Sequence, residues 1–150
     1  KAKIKLLKEN MLFFWTGQSR LSKKNLSNQK KNFKSNLKNL LELKKFTTEF
    51  TSEINKERLN LKNIGLILDK SWKLKKGFSS NVSNKNLNNI YSTAMTEGCY
   101  GGKLLGAGGG GFFLFICLKK FHNRVEKKLK ACKKIYFDFA KNGSVSRFVN

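Results

Sequence analysis

"GGKLLGAGGGGFFLFICLKK", residues 101–120, decides how the rest of the chain is read. Five of the six residues at 106–111 are glycine, and the apolar run 112–118 follows at once. Glycine loses more backbone freedom on folding than any other residue. Such a run therefore needs a structural or ligand-binding reason. An ordinary tight hairpin needs only one or two glycines for positive φ. "GGKLLGA" and "FFLFICL" read as two strands joined by the run, whose bare backbone lets N–H groups approach a phosphate or another loop. Two other phosphate motifs fail. A P-loop requires GxxxxGK[ST], but Leu104 follows Lys103 and Glu97 occupies the place of the first glycine. Gly106, Gly108 and Gly111 satisfy GxGxxG literally, yet that fingerprint must open a helix. Here it opens onto Phe112, Phe113, Leu114, Phe115 and Ile116, a strand-forming run.

Outward from the glycines, the periodicity alternates between strand and helix. "MLFFWTG" (11–17) reads as a short buried strand ending in a Thr-Gly turn. Leu26, Phe33, Leu37, Leu40 and Leu41 recur at helical spacing, which predicts a helix over 22–45, with a second over 47–57. Leu61, Ile64, Leu68 and Trp72 predict a third over 59–75, with Trp72 in the core. "GFSSNVSN" is a loop. Ser83 stands where an N-cap belongs, ahead of Leu87, Ile90, Tyr91 and Ala94, and Gly98 closes that helix. A helix over 121–131 and a last strand, "KIYFDFA", complete the pattern. The expected fold class is α+β, one domain over 1–150, with an antiparallel sheet and helices packed on one face.

Composition sets limits on partners. With 39% hydrophobic and 12% aromatic residues, 150 residues suffice for a real core. The net charge of +23 invites a nucleic-acid partner, and a basic nucleic-acid-binding α+β module without enzymatic activity is the alternative reading. The lysines are scattered from Lys1 to Lys141 rather than gathered, Arg is scarce, and Pro is absent. That pattern reads as solvated surface charge, so nucleic acid is not the expected partner. "FFLFICL" is also apolar on both faces, as in a covered strand. Cys99, Cys117 and Cys132 show no CxxC spacing. Cys117 reads as a small core residue, and a reducing, cytoplasmic setting is expected. No apolar stretch reaches the length of a membrane span, so no membrane partner is expected. Lone His122 has no metal partner nearby in sequence and is not expected to be catalytic.

"GGKLLGAGGGGFFLF" resembles the third motif of the GHMP kinases, the superfamily of galacto-, homoserine, mevalonate and phosphomevalonate kinases. The flanking stretch "LDKSWKLKKGFSSNVSNKNLNNIYSTAMTEGCYGGKLLGAGGGG" is similar to the branch that phosphorylates D-glycero-D-manno-heptose 7-phosphate. "FFWTGQSR" resembles the strand that opens the C-terminal half there. The resemblance covers about 12–147. It implies the ferredoxin-like C-terminal domain of such a kinase. The superfamily's Pro-x-x-x-Gly-Leu-Gly-Ser-Ser-type loop, its catalytic Asp and an accompanying lysine belong to the N-terminal half, and nothing in this sequence matches that loop. The chain is therefore expected to be a fragment, inactive alone, whose partner is the N-terminal half of the same kinase.

Phosphoryl transfer is mostly positioning and electrostatic stabilisation. The resemblance implies ATP and Mg²⁺, the metal bound mainly through the other half. It implies that Gly106, Ala107, Gly108, Gly109 and Gly110 close against the ATP phosphates, with Lys103 as a charge partner. The acceptor, a phosphorylated sugar, would be lined by Thr16, Gly17 and Arg20 from the 16–20 turn. From the 75–83 loop come Lys75, Ser79 and Ser83, which supply cationic and hydroxyl donors. Arg20 carries weight because Arg is rare here and follows a strand end.

Overall fold

Alternation within "MLFFW" and "FFLFIC" sets up the sheet. The computed structural model describes residues 2–19 and 33–140. Its elements run α1 (Ala2–Glu9), β1 (Met11–Trp15), α2 (Phe33–Asn55), α3 (Leu61–Lys76) and α4 (Lys85–Thr96). Then follow β2 (Cys99–Leu104), β3 (Phe112–Cys117), a 3₁₀ turn (Lys119–Phe121), α5 (His122–Lys128) and β4 (Lys133–Lys134). The strands are antiparallel in the order β2-β3-β1-β4. Met11 opposes Ile116 and Trp15 opposes Phe112. Because successive residues point to opposite faces, Leu12, Phe14, Phe113 and Phe115 share one side. All four are buried and pack against Leu87, Ile90, Tyr91 and Ala94 of α4, Val125 of α5 and Trp72 of α3. On the other side Ile116, Met11 and Leu114 meet Ile64 and Leu68 of α3 and Phe50 and Ile54 of α2 in a smaller cluster. The expected α+β class stands, and Trp72 and Cys117 are core residues as read from the sequence.

β2 is an edge strand, and an uncovered edge invites pairing with another chain. Helix α3 covers it at very close range. A Cβ built on Gly101 would lie 1.9 Å from the Gly65 carbonyl oxygen, and one on Gly65 would lie 2.6 Å from Tyr100 Cβ. Only two facing glycines allow helix and strand backbones to meet this way. Where they meet, Tyr91 of α4 donates to Asp69 Oδ1 of α3 at 2.6 Å. Burial, and then that bond to a carboxylate, holds the Tyr91 phenol well above its usual range.

Several boundaries differ from expectation. Helix α1 was not anticipated, although Asn10 fastens it: its Nδ2 donates to Leu6 O (2.8 Å), and its Oδ1 accepts from Lys119 N (3.1 Å). The two helices expected over 22–45 and 47–57 are one helix through Asn55, and residues 20–32 lie outside the described residues. Thr47 and Thr48 do not break it, because their hydroxyls bond back to Leu43 O and Lys44 O (3.1 and 3.3 Å). The N-cap of α4 is Asn84, not Ser83. Its side chain accepts from Leu87 N at 2.9 Å. The helix expected over 121–131 opens as the 3₁₀ turn and ends at Lys128. The last strand contracts to Lys133–Lys134, with Ile135 N still donating to Phe13 O (2.8 Å).

Gly101→Ala is expected to lower unfolding free energy by about 3 kcal/mol or more, since overpacking against backbone has no flexible side chain to yield. Gly77→Ala is expected to change it by less than about 1 kcal/mol, because Gly77 sits at φ −72° with its nearest atom at 3.3 Å. Urea denaturation of the two variants measures the contrast.

Candidate functional site

Three connecting segments meet at one end of the sheet: the turn after β1, the loop between α3 and α4, and the glycine run between β2 and β3. Backbone hydrogen bonds clasp them. Gly109 N donates to Val82 O (2.8 Å) and Gly111 N donates to Gln18 O (2.8 Å). Thr16 returns two bonds to Gly111 O, from its N (2.9 Å) and from Oγ1 (2.9 Å). The approach explains the glycines. A Cβ on Gly108, at φ +94°, would lie 2.9 Å from both Val82 Cα and Val82 O. One on Gly110 would lie 2.6 Å from Gln18 O. The bare backbone at 108 and 110 is thus met by Val82 and Gln18 of this same domain.

The clasp sorts the predicted residues. Gly108 and Gly109 are buried in it, while Gly106 is exposed with nothing within 4 Å of its Cβ position, and Ala107 is half-buried. Thr16 is buried and serves the clasp, and Gly17 is exposed at the turn. Ser79 Oγ accepts from Asn81 N (3.2 Å), shaping the 77–83 loop, and Ser83 Oγ donates to Asn88 Oδ1 (3.1 Å). Arg20 lies outside the described residues. Lys75 Nζ donates to the Gly106 carbonyl. Lys103 points to the α3 side, donating to Ser71 Oγ at 3.2 Å.

Residues that sequence reasoning missed hold these parts in place. Asn84 Nδ2 donates to Gln18 Oε1 (3.1 Å), tying the start of α4 to the β1 turn. Asn36 Nδ2 donates to Phe78 O (3.2 Å), tying α2 to the same loop. Asn84 is a capping residue as good as Ser83, so that signal was present in the sequence but ambiguous. Asn36 and Gln18 carry no local signal.

The site is cationic. Burial, then the charge of Lys103, pushes Lys75 down to about 8. Burial lowers Lys103 as well. His122 Nε2 lies 3.0 Å from Cys117 O. Among the described residues no three His, Cys, Asp or Glu side chains come together to hold a metal. The residues gathered at this end of the sheet offer an anion backbone, hydroxyl and ammonium groups.

The family described as "GHMP kinases C terminal" matches residues 51–135, more than half the chain and the whole stretch from late α2 to β4. The chain belongs to the GHMP kinase family. Over 88 residues it is 40% identical to D-glycero-alpha-D-manno-heptose 7-phosphate kinase of Campylobacter jejuni, covering 57% of this chain and 26% of that protein. Its fold is similar to L. major mevalonate kinase in complex with R-mevalonate (TM-score 0.69, 21% identity, 81% of this chain and 37% of that one). It is also similar to a candidate sugar kinase of Campylobacter jejuni (TM-score 0.54, 26% identity, 95% of this chain and 40% of that one). The chain thus spans about a quarter of the curated relative and roughly two fifths of these solved chains. Among the described residues no helix is long and apolar enough to cross a membrane.

With its ammonium held at about 8 against an ordinary 10.5, Lys75 binds its proton more weakly in the folded chain than in the unfolded one. Between those values the unfolded chain carries the extra proton, so this group's contribution to stability rises with pH across the window. The unfolding midpoint of the wild type, measured relative to Lys75→Met, is expected to climb between pH 8 and pH 10.

Proposed function

We propose that this chain is the C-terminal half of an ATP-dependent sugar-phosphate kinase acting on a heptose 7-phosphate. The observation that carries this reading is the 40% identity to the heptose 7-phosphate kinase. That match is supported by a glycine loop locked at one end of the sheet and flanked by two half-buried lysines.

In this reading the main chain of exposed Gly106 and half-buried Ala107 meets the ATP phosphates. Gly108, Gly109 and Gly110 set its position, and Lys103 adds charge. Thr16, Gly17, Arg20, Lys75, Ser79 and Ser83 line the acceptor side in this reading, which the bonds tying the 16–19 turn and the 77–83 loop to the glycine run support. The reaction breaks the bond between the γ-phosphorus and the oxygen bridging to the β-phosphate, and forms one to the sugar's anomeric oxygen. The hydroxyl proton passes to a base on the N-terminal half, to which the family resemblance also assigns the nucleotide loop and most of the Mg²⁺ binding. A loose transition state spreads charge over the phosphoryl oxygens, so fixed backbone dipoles and ammonium groups stabilise it without rearranging.

The purified 150-residue chain is expected to transfer no phosphate. Joined to the N-terminal half of such a kinase, it is expected to convert heptose 7-phosphate and ATP to the 1,7-bisphosphate and ADP, followed by ³¹P NMR. Turnover by the chain alone, or none by a folded joined enzyme, would overturn the reading.

A further inference from the structure

Lys75 of α3 bonds across to the residue just beyond β2, and Lys103 of β2 bonds across to α3. Ser71 and Lys75 lie four apart on α3, one above the other on the same face. Lys103 of β2 reaches the first, and Gly106, just beyond β2, receives the second. The two ammonium groups are near enough for the charge of Lys103 to weaken proton binding at Lys75. Among the described residues neither forms an ion pair with a carboxylate. Asp69, two residues before Ser71, is taken by Tyr91 (2.6 Å) and Lys73 (2.7 Å).

A pair of half-buried like charges without a counter-ion is unfavourable unless something anionic joins it. Each ammonium has three donors, and among the described residues Lys75 bonds to the Gly106 carbonyl and Lys103 to Ser71 Oγ. The cavity of about 190 Å³ that Lys103 and Ser71 border is otherwise walled by Leu43, Phe46, Thr47, Phe50, Ile67 and Leu68, so the anion is placed at the ammonium groups and not inside it.

We propose that Lys75, Lys103 and Ser71 form a single site for one phosphate monoester group. The proposal rests on the kinase reading and revises one role in it: Lys103, placed above beside the ATP phosphates, joins Lys75 on the phosphate of the acceptor sugar. The phosphate accepts from both ammonium groups and from the Ser71 hydroxyl, while Lys75 keeps its bond to Gly106. Filling the site therefore also stiffens the glycine loop.

The test is a titration of the ¹³C-lysine-labelled chain at pH 7, followed through the Cε resonances. Inorganic phosphate, glucose 6-phosphate and ATP are the three probes, run in separate arms. Inorganic phosphate and glucose 6-phosphate are expected to shift Lys75 and Lys103 selectively and saturably, and ATP to do so more weakly. Stronger selective shifts with ATP would assign the site to the nucleotide and overturn its small-monoester character. Lys103→Met, which leaves the Lys75 tether intact, is expected to weaken phosphate binding at least about tenfold, as for loss of a charge-assisted hydrogen bond. Lys120→Met, an exposed control, should leave binding unchanged. Small uniform shifts across all lysines, or equal affinity in Lys103→Met, would overturn the site. A joined enzyme that transfers no phosphate while these selective shifts persist would instead count against the kinase reading alone.

Discussion

The Gly109–Val82 and Gly111–Gln18 hydrogen bonds are the contacts on which the rest of the site depends. Each is an ordinary backbone bond, worth on the order of 1 kcal/mol net. What makes them decisive is geometry: they form only if the main chain at 108 and 110 carries no side chain toward Val82 and Gln18. Once formed, they fix three segments that are remote in sequence into one rim. Thr16 closes the rim by bonding twice to Gly111 O, and Asn84 ties the first turn of α4 to it through Gln18. The glycine run is thus first a packing device, and its exposed residue is Gly106.

The same economy of side chains operates at the other end of β2. Gly65 and Gly101 let α3 lie directly on the edge strand, which aligns Ser71 and Lys75 with Lys103 and Gly106. Bulk charge conveyed little about this. A net charge of +23 describes a surface of scattered lysines, most of them exposed. Lys75 and Lys103 differ from that background because burial works against both charges, the charge of Lys103 also works against that of Lys75, and no carboxylate among the described residues offsets them.

The strands flanking the glycines, the helices around Trp72 and Ile90, and the place of Cys117 in the core were legible because each rests on a local period or a short apolar run. The family was legible for a similar reason, since its motif is contiguous. What failed to read locally was decided by distant partners. Whether Ser83 or Asn84 caps α4 depends on which side chain reaches Leu87 N. "KIYFDFA" has a strand's composition, but its backbone follows β1 only as far as Ile135. A break was expected between Lys45 and Thr47, but the helix runs through it with Thr47 and Thr48 bonded back to the preceding turn. That the glycines are approached by Val82 and Gln18 could not be seen in any window of sequence.

Amide hydrogen exchange at Gly109 and Gly111, resolved by NMR on the 150-residue chain, tests the clasp most directly. Both amides are expected to exchange at least about a hundredfold more slowly than in an unstructured peptide, as buried, bonded amides do. Exchange at the unstructured rate while the amides of β1 and β3 stay protected would contradict the account, because the glycine loop would then be unheld.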